Sequence, residues 1–417
     1  MTVTNDSIHT AGPGDLGIDW ATEFDHTQES YAQNAPAIWD ELRERCPVAH
    51  TDAHGGVWLP TKHADVTAIA HDTENFTSES VVVSQFKPLG LAPAGFAPPI
   101  TSDPPYHQSA RRLLLPAFAP KVVNLLEDYV RECCRSLLDD LLAQGTDVVD
   151  AATAYAQHIP VLTIARMLGL PPEDGDRFRT FIHRILEKPG QYTDQIAPED
   201  TLVHYLSEII AQRRSEPPRD DLIGFLLEAE MDGEPLTNEH VFGTIALLII
   251  AGIDTTWSNL GASIWHLAQN PDDRARLRED PDVLPFAIEE FLRFYSPVTM
   301  ARLAAKDTEI GGCPVSARDW VLLTFPAANR DPEAFERADE FIIDRQRNRH
   351  VAFGLGIHRC LGSNLARLEL TVAIDEWMKR IPDFELADPN PDAVRWSTGQ
   401  VRGPRELPIR LLRTVEA

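Results

Sequence analysis

The stretch FGLGIHRCLG, residues 353–362, carries three glycines, a histidine, an arginine and one cysteine. The residues after it place apolar side chains at helical spacing, so they predict a helix that starts just beyond Cys360. A sulfur at that position lies near free backbone N–H groups and the positive end of the helix dipole, and both stabilise a thiolate. Three positions permit unusual backbone angles and the close approach of a flat or bulky group: Gly354, Gly356 and Gly362.

Four interpretations of this cysteine are open from the residues alone. A nucleophile needs a nearby base, and His358 is close in sequence. A zinc site needs three further ligands, which the neighbouring residues do not supply. A haem iron accepts a single thiolate as its axial ligand and needs no other protein ligand. A buried structural cysteine in a tight turn is the fourth interpretation, and it would dominate for a random lone cysteine.

Composition narrows the class of protein. The chain has 417 residues, of which 43% are hydrophobic, as expected of a globular protein with a large core. A formal net charge of -26 argues against a nucleic-acid-binding protein, which needs a basic surface. The five cysteines form no C-x-x-C pair, which disfavours a disulfide framework and a structural zinc site. The polar N-terminus predicts no signal peptide, and we expect a cytoplasmic protein without a membrane span.

The chain reads as mainly helical with short β segments, an α+β class. The longest helix candidate lies within residues 235–271, where Thr237 is the expected N-cap and Pro271 the stop. Its apolar run is interrupted by a polar cluster that includes Asp254 and Thr255. Buried polar groups cost free energy unless they are satisfied, so this helix either holds a group at that point or is kinked by hydroxyls that bond back to the preceding turn.

Two other segments are distinctive. The Pro- and Gly-rich stretch 84–105 predicts a long loop, and loops of that length inside a compact protein are usually functional. A helix predicted over 285–298 places Glu290 and Arg293 on one face at i, i+3. On a surface this would be an ordinary ion pair of small energy.

These residues carry a family resemblance. FGLGIHRCLG matches the haem-binding loop of the cytochrome P-450 superfamily, Phe-x-x-Gly-x-x-x-Cys-x-Gly, at every fixed position. DPPYHQSARR at 103–112, AGIDTT at 251–256 and EEFLR at 289–293 resemble three further segments of that family, in the same order. The resemblance implies a helix-rich triangular prism with haem between the long central helix and the helix after the cysteine loop. It also implies one domain over 1–417, with a flexible tail over the first 15 residues and no fused reductase.

The resemblance implies roles for individual residues. Cys360 would be the only protein ligand to the iron of haem b, and Asp254 and Thr255 would be the acid–alcohol pair that delivers protons to bound O2, the co-substrate. Glu290 and Arg293 would form a structural ion pair behind the haem, with Arg345 or Arg330 as the third partner. The remaining haem contacts implied are His107, Arg111, Arg302, His358, Phe353, Gly354 and Gly362.

The same resemblance implies a mainly apolar substrate pocket, lined by Val83, Phe86, Phe96, Leu247, Leu248, Ala251, Val298 and Met300. We therefore expect a bacterial-type haem-thiolate monooxygenase that hydroxylates or oxidatively demethylates a small-to-medium neutral hydrophobe, such as a terpenoid or an aromatic compound. No acid or base is clearly placed to anchor a charged substrate, although Arg184 and Lys188 are candidates.

We expect electrons to come from another protein, because the sequence shows no flavin or iron–sulfur segment. The resemblance implies an iron–sulfur ferredoxin and its NAD(P)H reductase, with Arg112, Arg359, Arg367 and Lys121 as basic contacts. We expect a monomer. A peroxide-using peroxygenase and a non-catalytic haem-based ligand binder or sensor are the alternatives, and the pair Asp254–Thr255 counts against both. A helical binding scaffold would need an exposed apolar stripe or a repeat, which the sequence does not show.

Overall fold

The computed structural model describes residues 16–83, 95–187 and 197–415, so the predicted tail over 1–15 lies outside the described residues. Helices dominate these ranges, which confirms the mainly α prediction. The α-helices are α1 Glu29–Arg45, α2 His63–His71, α3 Tyr106–Leu114, α4 Pro120–Val123, α5 Glu127–Ala143, α6 His158–Leu168, α7 Gly175–Ile182, α8 Leu202–Ser215, α9 Leu222–Glu228, α10 Asn238–Gln269, α11 Pro271–Glu279, α12 Leu284–Phe294, α13 Phe325–Ala328 and α14 Ser363–Arg380.

Short strands form small sheets beside the helices. The strands are β1 Val48–Thr51, β2 Val57–Pro60, β3 Phe76–Thr77, β4 Val148–Asp150, β5 Glu230–Met231, β6 Glu234–Pro235, β7 Thr299–Ala304, β8 Thr308–Ile310, β9 Cys313–Val315, β10 Trp320–Thr324, β11 Asp383–Leu386 and β12 Pro408–Arg413. The five-stranded sheet has the order β1-β2-β10-β7-β3, a three-stranded sheet has the order β11-β12-β4, and β5-β6 and β8-β9 are hairpins. In the larger sheet β7 and β10 are antiparallel, with Leu322 opposite Ala301.

Helix α10 runs through the interior as one continuous element of 32 residues, about 48 Å at 1.5 Å per residue. The Thr237 side chain accepts a hydrogen bond from the His240 N–H at 3.1 Å, which confirms the predicted N-cap. The helix ends at Gln269, and Pro271 begins α11, as the sequence predicts. By length and composition alone α10 could cross a membrane, but 78% of its apolar window is buried inside the protein.

Two apolar cores meet along α10, and the helix contributes side chains to both. One core holds Phe178 and Ile249, and the other holds Leu260 and Trp377 of α14. Each large side chain buried in this way contributes about 1.5–3 kcal/mol. Because α6 and α14 pack directly on α10, the residues near the middle of α10 and the start of α14 are held in fixed relative positions.

The cysteine loop joins the end of the irregular segment before it to α14. Gly354 has φ +66° and Gly356 has φ +64°, the left-handed region that favours glycine. A Cβ atom on Gly356 would lie 2.4 Å from the Ala70 carbonyl oxygen, so only glycine fits there. Gly362 is the N-cap of α14 and has an ordinary φ of −82°, so it does not use the unusual backbone angles that a glycine permits.

Candidate active site

A large, mainly apolar cavity lies between the middle of α10 and the cysteine loop. Ala251 and Thr255 are accessible within an otherwise buried stretch of α10, because their side chains face this cavity. Many of the site residues that the sequence analysis assigned do lie on the wall of this cavity. They are Arg111, Leu247, Leu248, Ala251, Thr255, Val298, Met300, Arg302, Phe353, Gly354, His358, Cys360 and Gly362. Tertiary packing therefore brings together residues from α3, α10, β7 and the cysteine loop.

Two predicted pocket residues within the described ranges, Val83 and Phe96, do not line the wall. Val83 packs in the apolar core around Trp20, and the preceding residue Val82 lines the cavity instead. The Phe96 ring lies 5.5 Å from the Tyr106 ring, near the first turns of α10, where aromatic packing holds it away from the wall. The predictions for Val83 and Phe96 are therefore wrong, and Phe86 lies outside the described residues.

Cys360 faces the cavity ahead of α14, and its N–H donates to the Phe353 carbonyl oxygen at 2.7 Å. Desolvation raises the pKa of the Cys360 thiol, while the Gly362 N–H and nearby guanidinium groups oppose that rise. The groups of the chain that favour the thiolate therefore do not by themselves offset the effect of desolvation on the thiol pKa. A bound metal cation, in contrast, deprotonates a coordinating thiol outright.

The nucleophile and zinc interpretations lack support in this geometry. The Nε2 atom of His358 lies 2.9 Å from the Ser78 hydroxyl oxygen, so its ring is engaged away from the cysteine. No group of three or more His, Cys, Asp and Glu side chains that could hold a metal ion occurs within the ranges that the structure describes. The fourth interpretation, a buried structural cysteine, does not fit the exposure of Cys360 on the cavity wall, so a single thiolate ligand remains.

Basic side chains gather beside the cysteine loop without a matching anion. The rings of His107 and His358 lie 4.4 Å apart, and both ring nitrogens of His107 are buried without a hydrogen-bond partner. Burial lowers the pKa of Arg302 to about 10. Burial, then the neighbouring Arg302, His107 and Arg111, lower the pKa of His358 to about 2. Among the described residues no carboxylate forms an ion pair with Arg111 or Arg302, and Asp103 acts on Arg302 only through its field, so this cluster is suited to an anionic group that is not part of the chain.

Asp254 lies on α10 and is fully buried. Its Oδ1 atom lies 2.8 Å from the Arg405 Nη2 atom, a contact between charges rather than an aligned hydrogen bond. Arg405 also contacts Glu187 at 2.6 Å and donates to the Ser258 hydroxyl at 3.0 Å. Burial raises the pKa of Asp254 to about 6, and Arg405 limits that rise. The sequence offers no signal for Arg405, because it lies far along the chain and follows a proline in an irregular segment.

The polar cluster in α10 had two interpretations, and Thr255 shows a feature of each: its hydroxyl bonds back to the preceding turn, and its side chain faces the cavity. Its hydroxyl donates to the Ala251 carbonyl oxygen at 3.0 Å, the back-bond expected of a threonine in a helix. The same side chain faces the cavity, and the helix continues past it. The hydroxyl is therefore held at the wall, with its acceptor lone pairs available to a group in the cavity.

Glu369 is a buried acid on the cavity wall, which Asp254 does not line, and the sequence analysis missed it. It lies on α14, is 2% exposed, and has hydroxyl partners in Thr163 and Thr256. Burial raises its pKa to about 8, so it is mainly protonated near neutral pH. One signal could have found it: Glu369 follows Leu365 by four residues and so lies on the apolar face of the predicted helix.

Glu290 and Arg293 form a fully buried bidentate pair at 2.7 and 2.8 Å. The third partner is Arg345, whose Nε atom lies 3.0 Å from a Glu290 oxygen. Arg330 instead stacks on the Phe294 ring at 4.3 Å. Since Arg293 also donates to backbone carbonyls of the irregular segment before the cysteine loop, the network ties α12 to that segment.

The comparisons with known proteins agree with this site. A family profile described as cytochrome P-450 matches residues 175–385. The chain is 35% identical over 395 residues to cytochrome P-450 107B1 of Saccharopolyspora erythraea, covering 92% of this chain and 96% of that protein. It is 36% identical over 360 residues to nocardicin C N-oxygenase of Nocardia uniformis subsp. tsuyamanensis, covering 84% and 89% of the two chains.

Among solved structures, cytochrome P-450 CYP109Q5 from Chondromyces apiculatus superimposes with a TM-score of 0.81 at 33% identity. The match covers 95% of this chain and 100% of that chain, so the fold is shared over the whole described molecule. The chain therefore belongs to the cytochrome P-450 family: it is a haem b monooxygenase that uses O2 as co-substrate.

Proposed function

We propose that this monooxygenase hydroxylates or oxidatively demethylates a small-to-medium, neutral, hydrophobic substrate. The observation that carries the proposal is the apolar wall beside Thr255. The side chains of that wall are Val82, Ile100, Leu186, Leu247, Leu248, Ala251, Val298, Met300 and Val401. The cations Arg111 and Arg302 belong to the haem side in this proposal, so a charged substrate would be buried without a counter-ion, which is costly.

The residues around the cavity fit haem b. The basic cluster lacks an anionic partner, and the two propionate groups of haem would supply the negative charge. The cluster consists of His107, Arg111, Arg302 and His358. Cys360 would hold the haem iron through its thiolate sulfur. The rest of the loop that would face the haem consists of Phe353, Gly354 and Gly362. When bound, the haem supplies the iron that activates O2 for transfer of one oxygen atom to the substrate.

Asp254 and Thr255 are the proposed proton-delivery pair. A pKa of about 6 lets Asp254 both take up and release a proton near neutral pH, which suits general acid–base catalysis. The Thr255 hydroxyl faces the cavity one residue further along α10 and can accept hydrogen bonds there, and it can donate one when it gives up its bond to the Ala251 carbonyl. Asp254 is fully buried and lies behind the wall rather than on it, so in this proposal it passes protons to the cavity through Thr255.

A separate ferredoxin is the proposed electron donor, docking on the side of the cysteine loop. Arg112, Arg359 and Lys121 are exposed there and would attract an acidic partner against the overall charge of -26. Leu115 and Leu125 are 48% and 78% exposed in the segment that follows α3, and they add apolar area to this face. We propose that the protein acts in the cytoplasm as a monomer.

The reduced protein with carbon monoxide tests the haem assignment, and titration with a panel of neutral hydrophobes, followed by the shift of the haem absorption, tests the substrate class. A thiolate-type carbonyl spectrum and tight spectral shifts with neutral compounds are expected. Shifts only with charged analogues would contradict the substrate class.

Turnover tests the electron donor. NADH or NADPH alone should give no product, and a ferredoxin with its reductase should restore it. At limiting ferredoxin the rate should fall as salt rises, because exposed charges are screened within about 8–10 Å at 0.1–0.15 M salt. Turnover with NAD(P)H alone would contradict the proposal, and turnover with hydrogen peroxide alone at the same rate would favour the peroxygenase alternative.

A further inference from the structure

Glu289 of α12 forms a compact charge cluster behind the cysteine loop. Arg367 of α14 donates to its two carboxylate oxygens at 2.5 and 2.8 Å, a bidentate pair. His350 contributes a third contact, with its Nε2 atom 3.0 Å from the Glu289 carboxylate. The Glu289 and Arg367 side chains are each 30% exposed, while His350 is 3% exposed. Arg367, which the sequence analysis named as a basic contact for a redox partner, is therefore already paired with Glu289.

The hydrogen bonds fix the state of each member of the cluster. The Nδ1 atom of His350 accepts from the Ala352 N–H at 3.2 Å, so the ring hydrogen is on Nε2 and is donated to Glu289. Burial alone would raise the pKa of Glu289, but the hydrogen bonds from Arg367 and His350 hold it at about 2. The cluster thus contains one carboxylate and one guanidinium, and its net charge is close to zero.

Arg367 is also close to the cysteine loop itself. Its guanidinium carbon lies 4.5 Å from the centre of the Phe353 ring. The Phe353 carbonyl oxygen accepts the hydrogen bond from the Cys360 N–H. Arg367 is one of the cations whose field acts on the Cys360 sulfur. If Arg367 loses its counter-ion, the electrostatic potential at the Cys360 sulfur therefore changes. The effect is strong because the region has a low dielectric constant.

We propose that Glu289 is a positioning residue that neutralises Arg367 behind the cysteine loop and thereby sets the reduction potential of the haem iron. The proposal rests on the haem–thiolate site of the proposed function, and it is independent of the substrate and the redox partner. An uncompensated cation near the sulfur favours the reduced iron, which carries one more electron. An uncompensated anion favours the oxidised iron.

The two members of the pair should therefore shift the potential in opposite directions. In the substrate-free, haem-loaded protein, Glu289→Gln should move the equilibrium reduction potential to a more positive value, and Arg367→Gln should move it to a more negative value. Arg380→Gln is the matched control, because Arg380 lies on the same helix and is paired with Asp139 at 2.6 Å. The carbon monoxide complex of each variant should keep its thiolate-type spectrum, since Cys360 is unchanged.

Opposite signs separate charge balance from simple loss of packing, which would move both variants the same way. A shift in the same direction for Glu289→Gln and Arg367→Gln, or shifts no larger than that of Arg380→Gln, would overturn the proposal. If a charge-removing variant does not fold, Arg367→Lys is used instead, because it keeps the positive charge. Its reduction potential should stay near that of the wild type. A large shift would contradict the role of charge. A wild-type protein without the thiolate spectrum would instead remove the haem–thiolate assignment itself.

Discussion

The Nη2 atom of Arg405 lies 2.8 Å from the Oδ1 atom of Asp254, and this contact places a guanidinium against the buried acid of α10. Burial raises the pKa of Asp254 to about 6, and Arg405 opposes the rise by favouring the carboxylate. Replacing Arg405 with Gln should therefore raise that pKa further. The infrared band of the Asp254 carboxyl group is identified by its absence from Asp254→Asn. In Arg405→Gln this band should titrate at a higher pH than in the wild type.

A surface variant serves as the control for this prediction. Arg410→Gln removes a guanidinium that is 44% exposed and pairs with Glu385 at 3.5 Å, so the Asp254 titration should stay in place. If the band titrates at the wild-type pH in Arg405→Gln, the contact does not control the acid.

Thr255→Ala should uncouple oxygen consumption from product formation. The variant loses the Thr255 hydroxyl, which faces the cavity and is the alcohol of the acid–alcohol pair. More of the electron flow should therefore end in peroxide. Product formed per NADH oxidised is the measurement. Ser263→Ala removes a similar helix back-bond, 2.8 Å to the Asn259 carbonyl, further along α10, and it should leave the yield unchanged. Equal yields in wild type and Thr255→Ala would mean that the hydroxyl only completes the helix.

Cys360→Ser should abolish the thiolate-type carbonyl spectrum. A serine hydroxyl keeps the size of the side chain but is far less acidic than a thiol, so it cannot supply the same ligand. The other cysteines, each free, serve as controls, and single replacement of any of them should leave the spectrum intact: Cys46, Cys133, Cys134 and Cys313. A thiolate spectrum that survives in Cys360→Ser would remove the ligand assignment.

Glu290→Gln should destabilise the protein strongly. The carboxylate is fully buried between Arg293 and Arg345, so its loss leaves two buried guanidinium groups without their counter-ion. Breaking a buried pair in this way costs about 3–5 kcal/mol in the free energy of unfolding. Removing an exposed pair by Arg337→Gln, whose partner Glu340 is 48% exposed, should cost far less, because solvent screens such a pair. Denaturant unfolding of the two variants side by side measures the difference, and similar losses would contradict it.

Glu369→Gln should remove a pH dependence of stability. Burial raises the pKa of Glu369 from 4.5 to about 8 in the folded protein, so the folded protein holds one more proton than the unfolded chain between those pH values. The free energy of unfolding therefore falls as pH rises through that window, by at most about 1.4 kcal/mol per pH unit from this group. The difference between wild type and variant should change with pH there and level off above it. A constant difference would show that Glu369 is ionised in the folded state.

The sequence alone determined the features that depend on local spacing and on residue type. The position of Cys360 ahead of a helix, the glycines at positions 354 and 356, the N-cap Thr237 and the helical phase of α10 follow from neighbours in the chain, and the structure has them where they were predicted. The i, i+3 spacing of Glu290 and Arg293 likewise fixed their common face. Such features need no knowledge of packing, because a helix or a turn imposes them.

Tertiary structure decided which distant residues meet. The partner of Asp254 is Arg405, the partner of Glu289 is Arg367, and the third member of the Glu290 network is Arg345, and none of these pairs follows from spacing. Whether Val82 or Val83 faces the cavity was also decided there, by the apolar core around Trp20. The physical reason is that burial and counter-charges act through space: the same carboxyl side chain is strongly acidic beside a guanidinium, as in Glu289, and a weak acid when buried without one, as in Glu369.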